Sequence, residues 1–209
     1  MNEWKPAIAV HKKNYKVKKG EIIFREGDPV TGIYFVYSGN VKVYKKWDEE
    51  KELIIRFAKD GAIFGHRGLG KNNVYPISAA ALEPAIVCYM DLAFFEATLK
   101  VNTNLTYQLL QFFADELRES ERRMRNLAHM PVKGRVAEAL IALKNQFGIT
   151  KEGFINIELS RQDLASYAGA TYETVFRMIN ELVNDKLISL SGKRIHIINE
   201  ETLTELTQD

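Results

Sequence analysis

The chain has 209 residues, 46% of them hydrophobic and 27% charged, with a formal net charge of +2, which suits one large domain or two small ones with real cores. Its single cysteine, Cys88 in "AIVCYM", excludes an internal disulfide and any four-cysteine zinc or iron–sulfur site within one chain. No run of about 18 apolar residues occurs and "MNEWKPAIAVHKKNYKVKKG" lacks an apolar middle, so no membrane span and no signal peptide are expected, and the cytoplasm is the expected location.

From Tyr15 to about Tyr89 the chain is a series of short β-rich runs, "EIIF", "GIYFVY", "NVKVYKK", "ELIIRFA" and "AIVCYM", punctuated by Gly20, Gly27, Gly32, Gly39, Gly61 and Gly65. Such spacing predicts an antiparallel sandwich or barrel. In "YSGNVKVY", Gly39-Asn40 can adopt the positive φ of a tight turn, so a hairpin corner is expected there. From about Asp91 the pattern becomes helical. Leu110, Phe113, Leu117, Ser120, Met124 and Leu127 recur with alternating spacings of about three and four, a heptad seam flanked by Glu116, Arg118, Glu119 and Arg123. A stripe of this kind can cover its own domain's core, but its length to His129 favours self-association. Pro131 ends that helix, and "HMPVKG" reads as a hinge.

"GRVAEALIALKNQFG" is then an amphipathic helix, followed by an irregular stretch to Glu158. In "LSRQDLASYAGATYETVFRMINELV", Ser160 can cap a helix whose inner face is Leu164, Ala165 and Ala168. Gly169 suits a tight stop and Thr171 can cap the next helix, giving helix, short turn, helix. "LISLSGKRIHII" closes the chain as two short strands around a basic turn, where a wing would be. At about 100° per residue, Val175, Met178, Ile179 and Leu182 fall on one side of the second helix, with Glu173, Arg177 and Asn180 opposite. Glu173 and Arg177 could form an ordinary surface ion pair. Their address suggests more, because in a helix-turn-helix the N-terminal part of the second helix meets base edges. Arginine donates to O6 and N7 of guanine, and glutamate accepts from N4 of cytosine. Ser160 and Arg161 at the preceding helix start, with Lys193 and Arg194 on the wing, can meet phosphates. Net charge alone announces nothing of the kind; the reading rests on local placement.

With "KGEIIFREGDPVTGIYFVYSGNVKVY", "FGHRGL", "KGRVAEALI" and "LSRQDLASYAGATYETVFRMINEL" together, residues 15 to 200 resemble the CRP/FNR family of bacterial transcription regulators. The resemblance implies an α+β protein: an antiparallel, jelly-roll-like β-roll as sensor over residues 1–98, a dimerisation helix over 99–130, and a winged helix-turn-helix over 131–209. It also implies a homodimer on double-stranded DNA, controlled by a small-molecule effector and working with RNA polymerase. The family's base-reading pair falls on Glu173 and Arg177, and its phosphate contacts on Ser160, Arg161 and Gln162. Thr171, Tyr172 and Thr174 begin the reading helix, Tyr172 standing where the cyclic-AMP-responsive branch has arginine. The implied DNA site is a near-palindrome with TGA-like half-sites.

The effector region departs from that branch. Its ribose-binding glutamate, after the pocket glycine, is here His66 following Gly65, and no arginine stands near Pro76 in "VYPISAAAL". A buried cyclic phosphate without a bidentate partner is poorly compensated, so cyclic AMP is not expected as a tight effector. Arg67, Ser78 and Ser120, the last at a dimer-helix position that touches nucleotide in that branch, could line a pocket for something else. Gly65, His66 and Tyr75 complete the candidate set, although Phe64, Leu69 and Tyr75 also suit a roll core. A lone His66, with His11, His129 and His196 in other segments, argues against haem or metal ligation. Two other classes are weighed. A metal-dependent β-roll enzyme would need clustered ligands that the strand region lacks. A ligand-binding module acting on a protein partner without DNA binding would not need Glu173, Arg177, Ser160 and Arg161.

Overall fold

A computed structural model describes residues 11–48 and 51–208; the first ten residues of the stretch read for a leader lie outside the described residues. Among the described residues eight strands build the first unit: β1 (Lys12–Val17), β2 (Ile22–Phe24), β3 (Gly32–Ser38), β4 (Val41–Lys46), β5 (Glu52–Ala58), β6 (Ile63–Phe64), β7 (Ser78–Ala81) and β8 (Ala85–Asp91). They form two four-stranded antiparallel sheets, ordered β1-β8-β3-β6 and β2-β7-β4-β5. Alternation places the core: on β4 Val41 and Val43 are buried while Lys42 between them is only partly so, the period-two pattern of a strand with one face turned inward. Phe24, Val36, Val43, Phe64, Ala79 and Val87 fill the main apolar cluster. The outer strand β1 carries exposed Lys12, Lys13 and Lys16, charges that discourage pairing with another chain's edge.

Two sequence expectations change here. "YSGNVKVY" is not a hairpin: Gly39 does have φ +86°, but β3 and β4 belong to different sheets, so the turn is a corner between them. The segment "VYPISAAAL", absent from the β-rich runs of the sequence, instead supplies β7, an inner strand with all four residues buried. Its small side chains conceal it from a pattern that looks for bulky β-formers.

Asp91 caps α1 (Leu92–Val101), its carboxylate accepting from the Phe94 N–H at 3.2 Å. The helix α2 (Thr103–His129) follows. Ile33, Met90 and Phe95 form a second cluster, against which Leu99 and Leu109 pack, so both helices lie against the sheet in this unit.

The chain divides into compact units Met1–Asp115 and Glu116–Asp209. The second holds the C-terminal part of α2 with α3 (Val132–Phe147), α4 (Arg161–Ala168), α5 (Tyr172–Asn184), β9 (Ile188–Ser191), β10 (Arg194–Ile197) and α6 (Glu200–Glu205). Its core takes Val136, Leu140 and Leu143 from α3, Leu164 and Ala165 from α4, and Val175, Ile179 and Leu182 from α5. Pro131, with extended backbone and no N–H, begins α3 as expected of a residue that cannot continue α2. The surrounding contacts correct the reading of this turn as a free hinge. Buried Asn126 donates both amide hydrogens to Glu138, at 2.8 and 3.0 Å, and Arg122 pairs with the same carboxylate. Arg123 donates to the Tyr167 carbonyl at 2.7 Å and lies over the Tyr167 ring. The last turns of α2 are thereby fastened to α3 and α4 across the proline.

Candidate nucleic-acid interface

The helix pair is built by its caps. Ser160 accepts from the Asp163 N–H at 2.9 Å and meets the Asp163 carboxylate at 2.5 Å, starting α4. Gly169 ends it at φ +65°, a conformation that a side chain disfavours. Two residues on, Thr171 accepts from the Thr174 N–H at 3.3 Å and starts α5. Val175, Met178, Ile179 and Leu182 face the core, and Glu173, Arg177 and Asn180 are exposed, as their spacing predicts. Among the described residues no ion pair joins Glu173 to Arg177. Both side chains therefore leave α5 with their hydrogen-bonding groups directed to solvent.

Around this face, Gln162 is exposed at the start of α4, and Arg161 is half-buried, its Nη2 donating to the Gly192 carbonyl at 3.2 Å. That bond ties the start of α4 to the wing turn, and burial draws the guanidinium pKa below its ordinary value. The wing is the antiparallel pair β9 and β10, Arg194 opposite Ser191. Lys193 is exposed at its tip, whereas the Arg194 guanidinium stacks 4.4 Å from the Phe154 ring centre. Arg194 thus holds the wing to the preceding loop as well as carrying charge. One large side chain on this face escaped the sequence reading. Phe176 is 48% exposed and its ring stacks on Tyr172, 42% exposed, with centroids 6.2 Å apart and planes 9° apart. The available signal was an aromatic residue on the polar arc.

The candidate effector residues occupy different settings. Gly65 begins a short 3-10 turn, His66–Gly68, on the roll. His66 is 2% exposed and meets Phe112 and Phe113 of α2 edge-on, at 4.9 and 5.3 Å. Burial, with Arg56 and Arg67 nearby, drives its pKa down to about 3. Arg67 is half-buried. Tyr75 lies inside the roll, stacked on Phe24 at 4.0 Å with its hydroxyl donating to the Gly32 carbonyl at 2.7 Å. The Ser78 hydroxyl accepts from the Glu26 N–H at 2.9 Å. Both have structural partners, and Tyr75 belongs to the roll core. Ser120 is exposed on the part of α2 that belongs to the second unit. Among the described residues no three His, Cys, Asp or Glu side chains converge on a metal-sized site. No helix among them is long and apolar enough to cross a membrane.

Along α2 the seam stands largely open. Leu110, Leu117 and Met124 are each more than 60% exposed and Leu127 is 36% exposed. Ser120 is also exposed, while Phe113 turns partly inward against His66.

A β-roll, a long helix and a winged helix-turn-helix with a polar, outward-facing second helix define a DNA-binding regulatory protein. Residues 15–102 match the cyclic nucleotide-binding domain and residues 134–206 the Crp-like helix-turn-helix domain. The transcriptional activator protein anr of Pseudomonas aeruginosa is 30% identical over 198 residues, covering 93% of this chain and 80% of that protein. An anaerobic regulatory protein of Bacillus subtilis is 31% identical over 185 residues, with 86% and 78% covered. The solved structure of FixK2 from Bradyrhizobium japonicum superposes with a TM-score of 0.83 at 26% identity, covering 93% of this chain and 96% of that one. The chain belongs to the CRP/FNR family: it is a DNA-binding regulator of transcription and not an enzyme.

Proposed function

We propose that the protein works as a homodimer on a near-palindromic DNA site with TGA-like half-sites, Arg177 donating to guanine and Glu173 accepting from cytosine. The observation that carries this reading is the unpaired, exposed Glu173 and Arg177 on the N-terminal half of a helix whose opposite face is fully buried. Ser160, Arg161, Gln162, Lys193 and Arg194 hold phosphates around them, Thr171 and Thr174 lie at the DNA-facing start of α5, and Tyr172 contacts the flank. The open seam of α2 takes a second copy of the chain, so that two α5 helices about 34 Å apart enter successive major grooves. Relatives named as transcriptional activators support a contact with RNA polymerase. The expected division is a sensor over 1–98, a dimerisation helix over 99–130 and a DNA reader over 131–209, acting in the cytoplasm.

The signal enters at the roll and passes along α2. A signal needs only differential affinity for two arrangements, and about 1.4 kcal/mol changes DNA affinity tenfold. It is not cyclic AMP: a cyclic phosphate would need a bidentate arginine at the far end of the loop, and none stands near Pro76, where Ser78 is already hydrogen-bonded to the Glu26 N–H. Selection of binding sites from a random duplex pool tests the reading. Wild-type protein should enrich a palindrome with G·C-containing half-sites about one turn apart. Arg177→Ala should cost about 1–3 kcal/mol and relax preference at one position. Unchanged specific binding by that variant would refute the docking.

A further inference from the structure

The outward face of α5 is wider than the two charged residues. At about 100° per residue, Tyr172, Phe176, Asn180, Glu173 and Arg177 follow one another around an arc of about 140°. The aromatic pair is its first third. An exposed phenylalanine leaves apolar area in water with nothing in its own unit to cover it, and Phe176 is 48% exposed while Val175 and Met178 on the opposite face of α5 are buried. The ring is not loose. It lies parallel to the Tyr172 ring one helical turn earlier, a contact that fixes its direction at little entropic cost, since each ring has few rotatable bonds. The pair thus presents a rigid apolar edge beside the side chains assigned to G·C pairs.

In the major groove the apolar group within reach is the 5-methyl of thymine, which packs against small or aromatic side chains. We propose that Phe176, held in place by Tyr172, is a specificity-determining residue that reads a thymine methyl at a position adjacent to the G·C contacts of each half-site. This rests on α5 entering the major groove as proposed above, and gives that face a third chemical element besides its donor and its acceptor. Tyr172 positions Phe176 through the stack, and its hydroxyl is not needed for the reading.

The test uses the purified full-length protein and the duplex recovered by site selection. Each thymine is replaced in turn by deoxyuridine, which removes only the methyl group. Wild-type affinity should fall about fourfold for one thymine per half-site, the effect of withdrawing one buried carbon. In Phe176→Ser the same replacement should have no effect, and the selected motif should lose its thymine at that position while keeping its G·C pairs. Tyr172→Phe should retain the thymine preference, and Tyr172→Ala should weaken it. Phe176 is half exposed, so Phe176→Ser should fold, which its thermal melt checks. If no deoxyuridine replacement weakens wild-type binding by more than twofold, or if the loss persists undiminished in Phe176→Ser, the thymine reading falls and the Arg177 docking stands. If wild-type protein selects no motif at all, both fall.

Discussion

Replacing Leu117 by serine measures whether the seam of α2 is a dimer contact. Leu117 is 61% exposed on a helix whose fold does not depend on it. Fully burying a leucine contributes about 1.5–3 kcal/mol, so covering the exposed share is worth about 1–2 kcal/mol per chain. A twofold-symmetric contact uses the same residue from both copies, which doubles the figure to about 2–4 kcal/mol and raises the dimer dissociation constant between about 30-fold and several hundred-fold. Sedimentation velocity across a concentration series reads that shift directly, and far-UV circular dichroism confirms that helix content is retained. A dissociation constant equal to that of wild type, or a wild-type chain that stays monomeric at tens of micromolar, would refute the seam.

His66 should make the roll acid-sensitive. Its folded pKa, about 3, lies below the ordinary 6.5, so above pH 6.5 the ring is neutral in both states and stability is complete. Below it the unfolded chain takes a proton that the folded chain refuses. Stability should therefore fall by about 2 kcal/mol between pH 7 and pH 5. Urea titrations followed by circular dichroism test this; a slope unchanged in His66→Gln would assign it to other groups. Gly134→Ala should destabilise the second unit even though alanine ordinarily favours a helix interior by about 1 kcal/mol. A Cβ there would stand 2.5 Å from the Leu206 carbonyl oxygen and 3.0 Å from the Met130 side chain. A net loss of about 1–3 kcal/mol is expected, and a raised melting temperature would contradict the contact.

The local chemistry of the reading unit was visible in the sequence. Ser160, Gly169 and Thr171 act within one helical turn of themselves, by capping bonds and by a permitted positive φ, so short-range rules locate them. The buried and exposed sides of α5 followed from a period of 3.6, and the wing from two apolar runs around a basic turn. Only the tertiary structure decided matters that depend on distant partners. β7 is a strand because β2 and β4 flank it, despite its small side chains. Tyr75 and Ser78 carry polar groups that would suit a pocket, yet Gly32 and the Glu26 amide occupy them, 43 and 52 residues away. The proline turn after α2 reads as a hinge until Asn126 and Arg122 are seen to meet Glu138 across it. Caps and periodicity are written in neighbouring residues, whereas burial and hydrogen-bond satisfaction depend on which distant segments the fold brings together.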